Sequence, residues 1–332
     1  MSKITELTAL DAANLSLDDI LLIRDLSAGA DKKIKLQSLI DIFFSHNIPR
    51  LIPKDITSYF TDGTIWKRLN GTDGFSLFED IYAGDYFKMS RAITCPDSTD
   101  GTTGTDWITI ADIDGLWGNG DNISMMYHHL VCIPGKGFDG SAKNHFGRHR
   151  MYATNVTYDS SKPVSGTANA YQGGYKLSEM RQNVLGAAVN SGSTASGATI
   201  NQQLYAEFGS HLKTTRELIS NQVTTTLVNR LGSASGASSG WEWSSEQAIL
   251  MSEIEVYGST VFSSSGYDTG TAKKQLAVFK DARAINNRTS YYWLKDIASA
   301  AGFCFVASNG DASAGSAGSA FLCVRPRFVL AA

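Results

Sequence analysis

From about residue 60 onward the chain is punctuated by short aromatic and aliphatic runs set between Gly, Asp and Asn turns, a pattern that leaves no place for long helices. DIYAGDYFKM from Asp80, WITIADIDGLW from Trp107 and HHLVCIP from His128 have the length and the boundaries of strands, so residues 60–135 are expected to be mostly strands. Two stretches carry helical spacing instead. Leu177, Met180, Val184, Leu185 and Ala188 recur at helical intervals with Ser178 placed to cap, which predicts a helix over 177–189. Leu204, Tyr205 and Phe208 share a face of a shorter helix over 201–208, and strands are expected around 215–219 and 223–228. The mixture is α+β.

Residues 1 to about 50 read differently, with regular aliphatic positions and few aromatics. A strand from Ile20 (ILLIRD), a Gly turn, a second strand (KIKL) and a helix from Gln37 to His46 are expected. A unit of this size cannot hold a core alone, so it should pack against copies of itself or another protein. Pro49 and Pro53 punctuate the next stretch, and 51–74 is expected to be linker and first strands, ahead of a domain over 75–332. Segments rich in Gly, Ser and Ala at 190–199, 232–240 and 308–320 are expected to be surface loops.

Composition excludes several functions. With 29 Lys and Arg against 32 Asp and Glu, the net charge of −3 offers no basic excess for phosphate contacts, which argues against a nucleic-acid partner. The N-terminus lacks a basic region followed by an apolar one, and no apolar run reaches the roughly 18 residues of a membrane span, so neither secretion by its own signal nor membrane insertion is expected. Four cysteines, Cys95, Cys132, Cys304 and Cys323, lie far apart with no CxxC pair, as buried free thiols would. Cys304 and Cys323 fall on two late strands and are candidates for a bridge.

Candidate chemistry is sparse. His128 and His129 are adjacent in an apolar strand, which sends their rings to opposite faces and prevents joint metal binding. His145 and His149 have helical chelate spacing, but Gly147 interrupts them and no Glu completes HExxH, so a surface loop is expected. Asp112, Asp114, Asn119, Asp121 and Asn122 lack EF-hand spacing and read as turn residues. No nucleophile elbow, P-loop or paired-carboxylate pattern occurs, so neither an enzyme, a metal nor a cofactor is expected. Trp241-Glu242-Trp243 alternates like a strand and puts both indoles on one face, either as core or as a sugar-stacking or protein-binding platform.

The last 80 residues carry the most specific text: AILMSEIEVYGS from Ala248, YYWLKD from Tyr291, GFCFVASNGDASAGSAG from Gly302 and FLCVRPRFVL from Phe321. In that order these segments resemble the closing portion of the C-type-lectin-like fold found in phage and diversity-generating variable proteins and shared with formylglycine-generating enzymes. The resemblance extends back through Phe78–Tyr86, Trp107–Asp114 and His128–His129, and Leu22–Leu36 resembles the hairpin that opens many phage fibre proteins. It implies a non-enzymatic virion fibre or receptor-binding protein, a homotrimer, attached to other virion proteins through residues 1–50 and binding a host-surface glycan or protein. In that family the region between the hairpin and the last strand displays the ligand-binding residues. Asn309, Asp311, Ser313 and Ser316 are the matching positions, although this loop is poor in large side chains. A purely structural capsid or tail decoration protein is the alternative, and an enzyme descended from the formylglycine fold a remote third.

Strand alternation within YYWLKD predicts that Trp293 and Tyr291 share the core face while Tyr292 points away, which adds Tyr292 to Trp241 and Trp243 as ligand-binding candidates. Arg325, fixed in extended backbone by Pro326, is expected to salt-bridge a buried carboxylate near a sheet edge or bulge.

Overall fold

The computed structural model describes residues 20–25, 30–35, 49–75, 80–97, 103–116, 128–152, 174–224, 237–263, 275–285, 290–299 and 302–332. Mixed helices and antiparallel sheets make the chain α+β. Strands β1 (Ile20–Asp25) and β2 (Ala30–Lys35) pair in the register Ile20 with Lys35 through Asp25 with Ala30, as the sequence predicts. The helix expected over 37–46 lies outside the described residues, as do Asn119, Asp121 and Asn122.

The main sheet is built from β3 (Tyr86–Lys88), β4 (Trp107–Ile113), β5 (His129–Pro134), β6 (Leu212–Lys213), β9 (Ile249–Leu250) and β13 (Pro326–Ala331), in the order β3-β4-β5-β13-β6. The C-terminal strand therefore sits inside the sheet, between β5 on one side and β6 and β9 on the other. β5 and β13 are buried at every position and β4 at all but Trp107, because the sheet is covered on both faces. Ile108, Ile110, Leu130, Cys132, Phe328 and Leu330 enter one apolar cluster, while Ala111, Val131, Ile133 and Val329 enter a second.

A smaller sheet of β10 (Tyr292–Ser299), β11 (Gly302–Val306) and β12 (Ala312–Ser316), in that order, repeats the arrangement. Trp293, Ile297 and Phe303 join the first cluster; Tyr292, Leu294, Cys304 and Val306 join the second. Both rings of the Tyr292-Trp293 pair are thus fully buried on opposite faces, and the expected companion Tyr291 is 43% exposed. The alternation argument holds only for a strand with one wet face; a strand covered on both sides hides consecutive residues.

Several other expectations are corrected. In place of linker and strands, 51–74 holds helices α1 (Thr57–Thr61) and α2 (Thr64–Asn70), whose Ile65 and Leu69 are buried in the first cluster together with Ile56. Residues 215–224 form one strand, β7 (Thr215–Thr224), rather than two. The helix expected over 177–189 contracts to a π-helical turn at Met180–Leu185, with Ser178 Oγ accepting from the Arg181 N–H at 3.1 Å. It stops at Gly186, whose φ is +83° and where a Cβ would sit 2.6 Å from Thr199 Oγ1. Helix α3 (Ile200–Phe208) is close to prediction and starts with a Thr199–Gln202 capping box. The 308–320 loop contains β12. His145 and His149 are buried rather than on a surface loop. His145 Nδ1 accepts from the Gly147 N–H at 3.0 Å, and His149 Nδ1 donates to the Arg150 carbonyl at 2.9 Å. Asp112, expected in a turn, is fully buried in β4.

Arg325 makes no salt bridge among the described residues; its guanidinium stacks on Tyr292 at 4.8 Å and Phe279 at 5.6 Å. Among the described residues the ion pairs with both partners fully buried belong to Arg327, which donates from Nη2 to Glu217 at 2.8 Å and from Nε to Glu255. Pro326 opens β13 and pairs with Leu250 of β9 on one side, while the register with β5 begins only at Phe328.

None of the four cysteines, all buried, is in a disulfide, and burial alone pushes the Cys132 thiol well up. A thiolate is the nucleophile, so an aromatic disulfide reagent should find no reactive thiol in the folded chain and four after denaturation. Fast labelling of even one thiol in the native protein would contradict this packing.

His211 lies flat on Trp66 with ring centroids 3.6 Å apart, and its Nδ1 donates to the Ala331 carbonyl at 3.0 Å. Burial, the largest cause, holds this imidazole below its ordinary value despite that hydrogen bond. The folded state therefore binds fewer protons than the unfolded one once the pH falls below about 6.5, and stability should decline as the pH drops through that value. Unfolding midpoints at pH 7.5 and 5.5 should differ by less in His211→Gln than in the native chain, with an effect well under about 1 kcal/mol for this half-buried ring.

Candidate functional site

β7 pairs with β8 (Ala237–Glu246) as a two-stranded antiparallel ribbon, from Thr215 opposite Glu246 to Thr224 opposite Ala237. Side chains alternate between its faces. Thr215, Glu217 and Ile219, with Glu242, Ser244 and Glu246 across from them, form the inner face; Arg216, Leu218 and Ser220, with Trp241, Trp243 and Ser245, form the outer one.

The inner face is pinned by charge. Glu217 is bound to Arg327 and accepts from Thr215 Oγ1 at 2.6 Å. Glu246 accepts from Arg181 Nε at 2.8 Å and Nη2 at 2.6 Å, and from Ser244 Oγ at 2.6 Å. Lys176 pairs with Glu242 further along. Charge-assisted bonds of this kind are roughly twice as strong as neutral ones and fix the register of the ribbon.

The outer face sets Leu218, Trp241 and Trp243 among Arg216, Ser220 and Ser245, and it is partly open. Trp243 is 43% exposed, and the Arg216 guanidinium lies 4.3 Å over its ring. Leu218, opposite Trp243, and Trp241, two residues along, are half-buried. Two positions along a strand span roughly 7 Å, so the two indoles share one face at about that spacing, with the Arg216 cation over Trp243. Such a strip can stack against the apolar face of a sugar ring or receive an aliphatic or aromatic side chain.

The remaining candidates do not join this strip. Tyr292 is fully buried and cannot meet a ligand, which removes it from the candidate set. Asn309 and Asp311 sit at the β11–β12 turn and satisfy each other: Asn309 Nδ2 donates to the Asp311 carboxylate, and the Asp311 N–H returns to Asn309 Oδ1 at 3.2 Å. Ser313 pairs in register with Phe305 and Ser316 with Gly302, so strand alternation sends them to opposite faces of β12. The motif-derived set is therefore spread over a turn and two faces.

Two exposed aromatics escaped sequence reasoning. Tyr291 meets Phe305 edge to face at 5.9 Å, and Phe321 is 60% exposed. Tyr291 directly precedes the first residue of β10, and a strand-end position was the signal that it need not follow Trp293 inward.

Among the described residues no group of three or more His, Cys, Asp or Glu is placed to hold a metal ion, and no helix is long and apolar enough to cross a membrane. Comparison with family models, curated proteins and solved structures returned no match.

Proposed function

We propose that this chain is a virion fibre or decoration protein whose C-terminal part is a C-type-lectin-like module that binds a host-surface glycan or protein. The observation that carries the reading is the tryptophan strip: Trp243 stands half out of the surface beneath Arg216 on a ribbon whose other face is clamped by buried ion pairs. A rigid, partly exposed aromatic patch rimmed by polar residues is the kind of surface that marks an interaction site. Support for the lectin-like reading comes from the ordered closing segments and from the last strand returning to the centre of the main sheet. Residues 1–50 attach the protein to other virion components as a homotrimer in this reading.

The purely structural alternative is favoured by one observation, the turn at Asn309 and Asp311 whose polar groups are spent on each other. The two readings separate on a glycan microarray and on intact bacterial cells, probed with the full chain. Saturable binding to a glycan or to cells supports recognition; retention on purified virions alone, with no binding to either surface, supports the structural role and overturns the receptor reading.

A further inference from the structure

The loop leaving β5, helix α5 (Ala282–Ile285) and the approach to β13 border an open cleft. Lys136, Phe138, Asp139, Asn144, Arg283 and Arg325 line it. Nothing in the tryptophan strip involves these residues.

The cleft concentrates positive charge in a chain whose net charge is −3. Three of its side chains are cationic and one is acidic. Asp139 is turned onto Ser141, accepting from its N–H at 2.9 Å and its Oγ at 2.5 Å, and those bonds hold its carboxyl below the usual range. Arg283 is held by Asp281 outside the lining and lies 4.3 Å over Phe138. Lys136 reaches over Trp107 at 4.8 Å.

Arg325 at the floor is the telling residue. It is 3% exposed and pairs with no carboxylate among the described residues. Its Nη1 touches the Ala284 carbonyl at a long 3.4 Å, and its Nε is buried without a hydrogen-bond partner. Beside it Asn144 is 8% exposed, with Oδ1 also buried and unpartnered. A guanidinium stays charged under all ordinary conditions, and a buried charge without a counter-ion is costly, so a site holding one is incomplete until an anion enters. Stacking on Tyr292 and Phe279 orients the fork but brings no negative charge.

We infer that this cleft binds the terminal oxyanion group of a small molecule, with Arg325 taking the charge in the floor and Lys136 closing over it at the mouth. The group is the carboxylate of an acidic sugar or a sulfate; the planar fork of arginine can take two oxygens of either.

Calorimetric titration of the full chain with D-glucuronate, inorganic sulfate and, as the uncharged control, D-glucose tests this. Calorimetry reads saturable binding and not the general stabilisation that sulfate gives by exclusion from protein surfaces. Saturable heat from glucuronate alone identifies a carboxylate site and from sulfate alone a sulfate site; both support the inference. Arg325→Gln should weaken binding by about tenfold or more, and Lys136→Ala, a half-exposed position that leaves the core untouched, by about threefold. No saturable binding of either anion, equal binding of glucose, or unchanged affinity in Lys136→Ala together with Arg283→Ala would overturn it.

Discussion

Arg327→Met is expected to destabilise the fold by about 3–5 kcal/mol, the range for removing one side of a buried ion pair. Arg327, Glu217 and Glu255 are all fully buried, and the arginine binds both carboxylates at once. Methionine fills the volume but leaves two carboxylates facing each other out of reach of water. The three residues belong to β13, to the ribbon and to helix α4 (Glu253–Tyr257), so the loss loosens three elements together. Denaturant unfolding should show the midpoint shift. Replacing both glutamates by Gln in the Met variant should recover a large part of the loss, since the penalty comes from uncompensated charge. A midpoint unchanged in Arg327→Met would show that the triad is not buried as described.

Trp293→Ala should cost a similar amount, about 3–5 kcal/mol, for a different reason. The indole is fully buried in the first cluster and meets Phe305 edge to face at 6.2 Å. Its Nε1–H donates to the His149 carbonyl at 2.8 Å. Truncation leaves a cavity and an unpaired buried carbonyl, where Trp293→Phe leaves chiefly the second fault and should cost markedly less. Comparable losses in the two variants would show that the site collapses around the hole.

The readable parts of this sequence were those whose neighbours in space are also neighbours in sequence. The apolar run at Trp107–Ile113, the Leu204 and Phe208 face of α3 and the hairpin from Ile20 to Lys35 follow from local pattern alone. Helix α4 was not among the expected elements, although Ser252 and Glu255 spell its capping box. What local pattern misses is decided by distant chain. Tyr292 reads as outward-facing until the second cluster is known to cover it. Arg325 and Arg327 flank Pro326 and read alike, yet Arg327 meets Glu217 and Glu255 while Arg325 meets two rings and the Ala284 carbonyl. The candidate site divides the same way: Trp241 and Trp243 stand on one face because strand geometry requires it, whereas the scatter of Asn309, Ser313 and Ser316 depends on a hairpin register.

The tryptophan strip carries the functional claim, and paired substitution there tests it most directly. Affinity of the full chain for bacterial cells, or for whichever glycan it retains, should be compared with that of Trp243→Ala and Trp241→Ala. Truncating a tryptophan at the centre of an interface costs about 2 kcal/mol or more, so a loss of roughly 30-fold is expected for Trp243→Ala. Its unfolding midpoint should stay near that of the native chain, because this ring is 43% exposed. Undiminished binding by the doubly substituted chain would contradict the account.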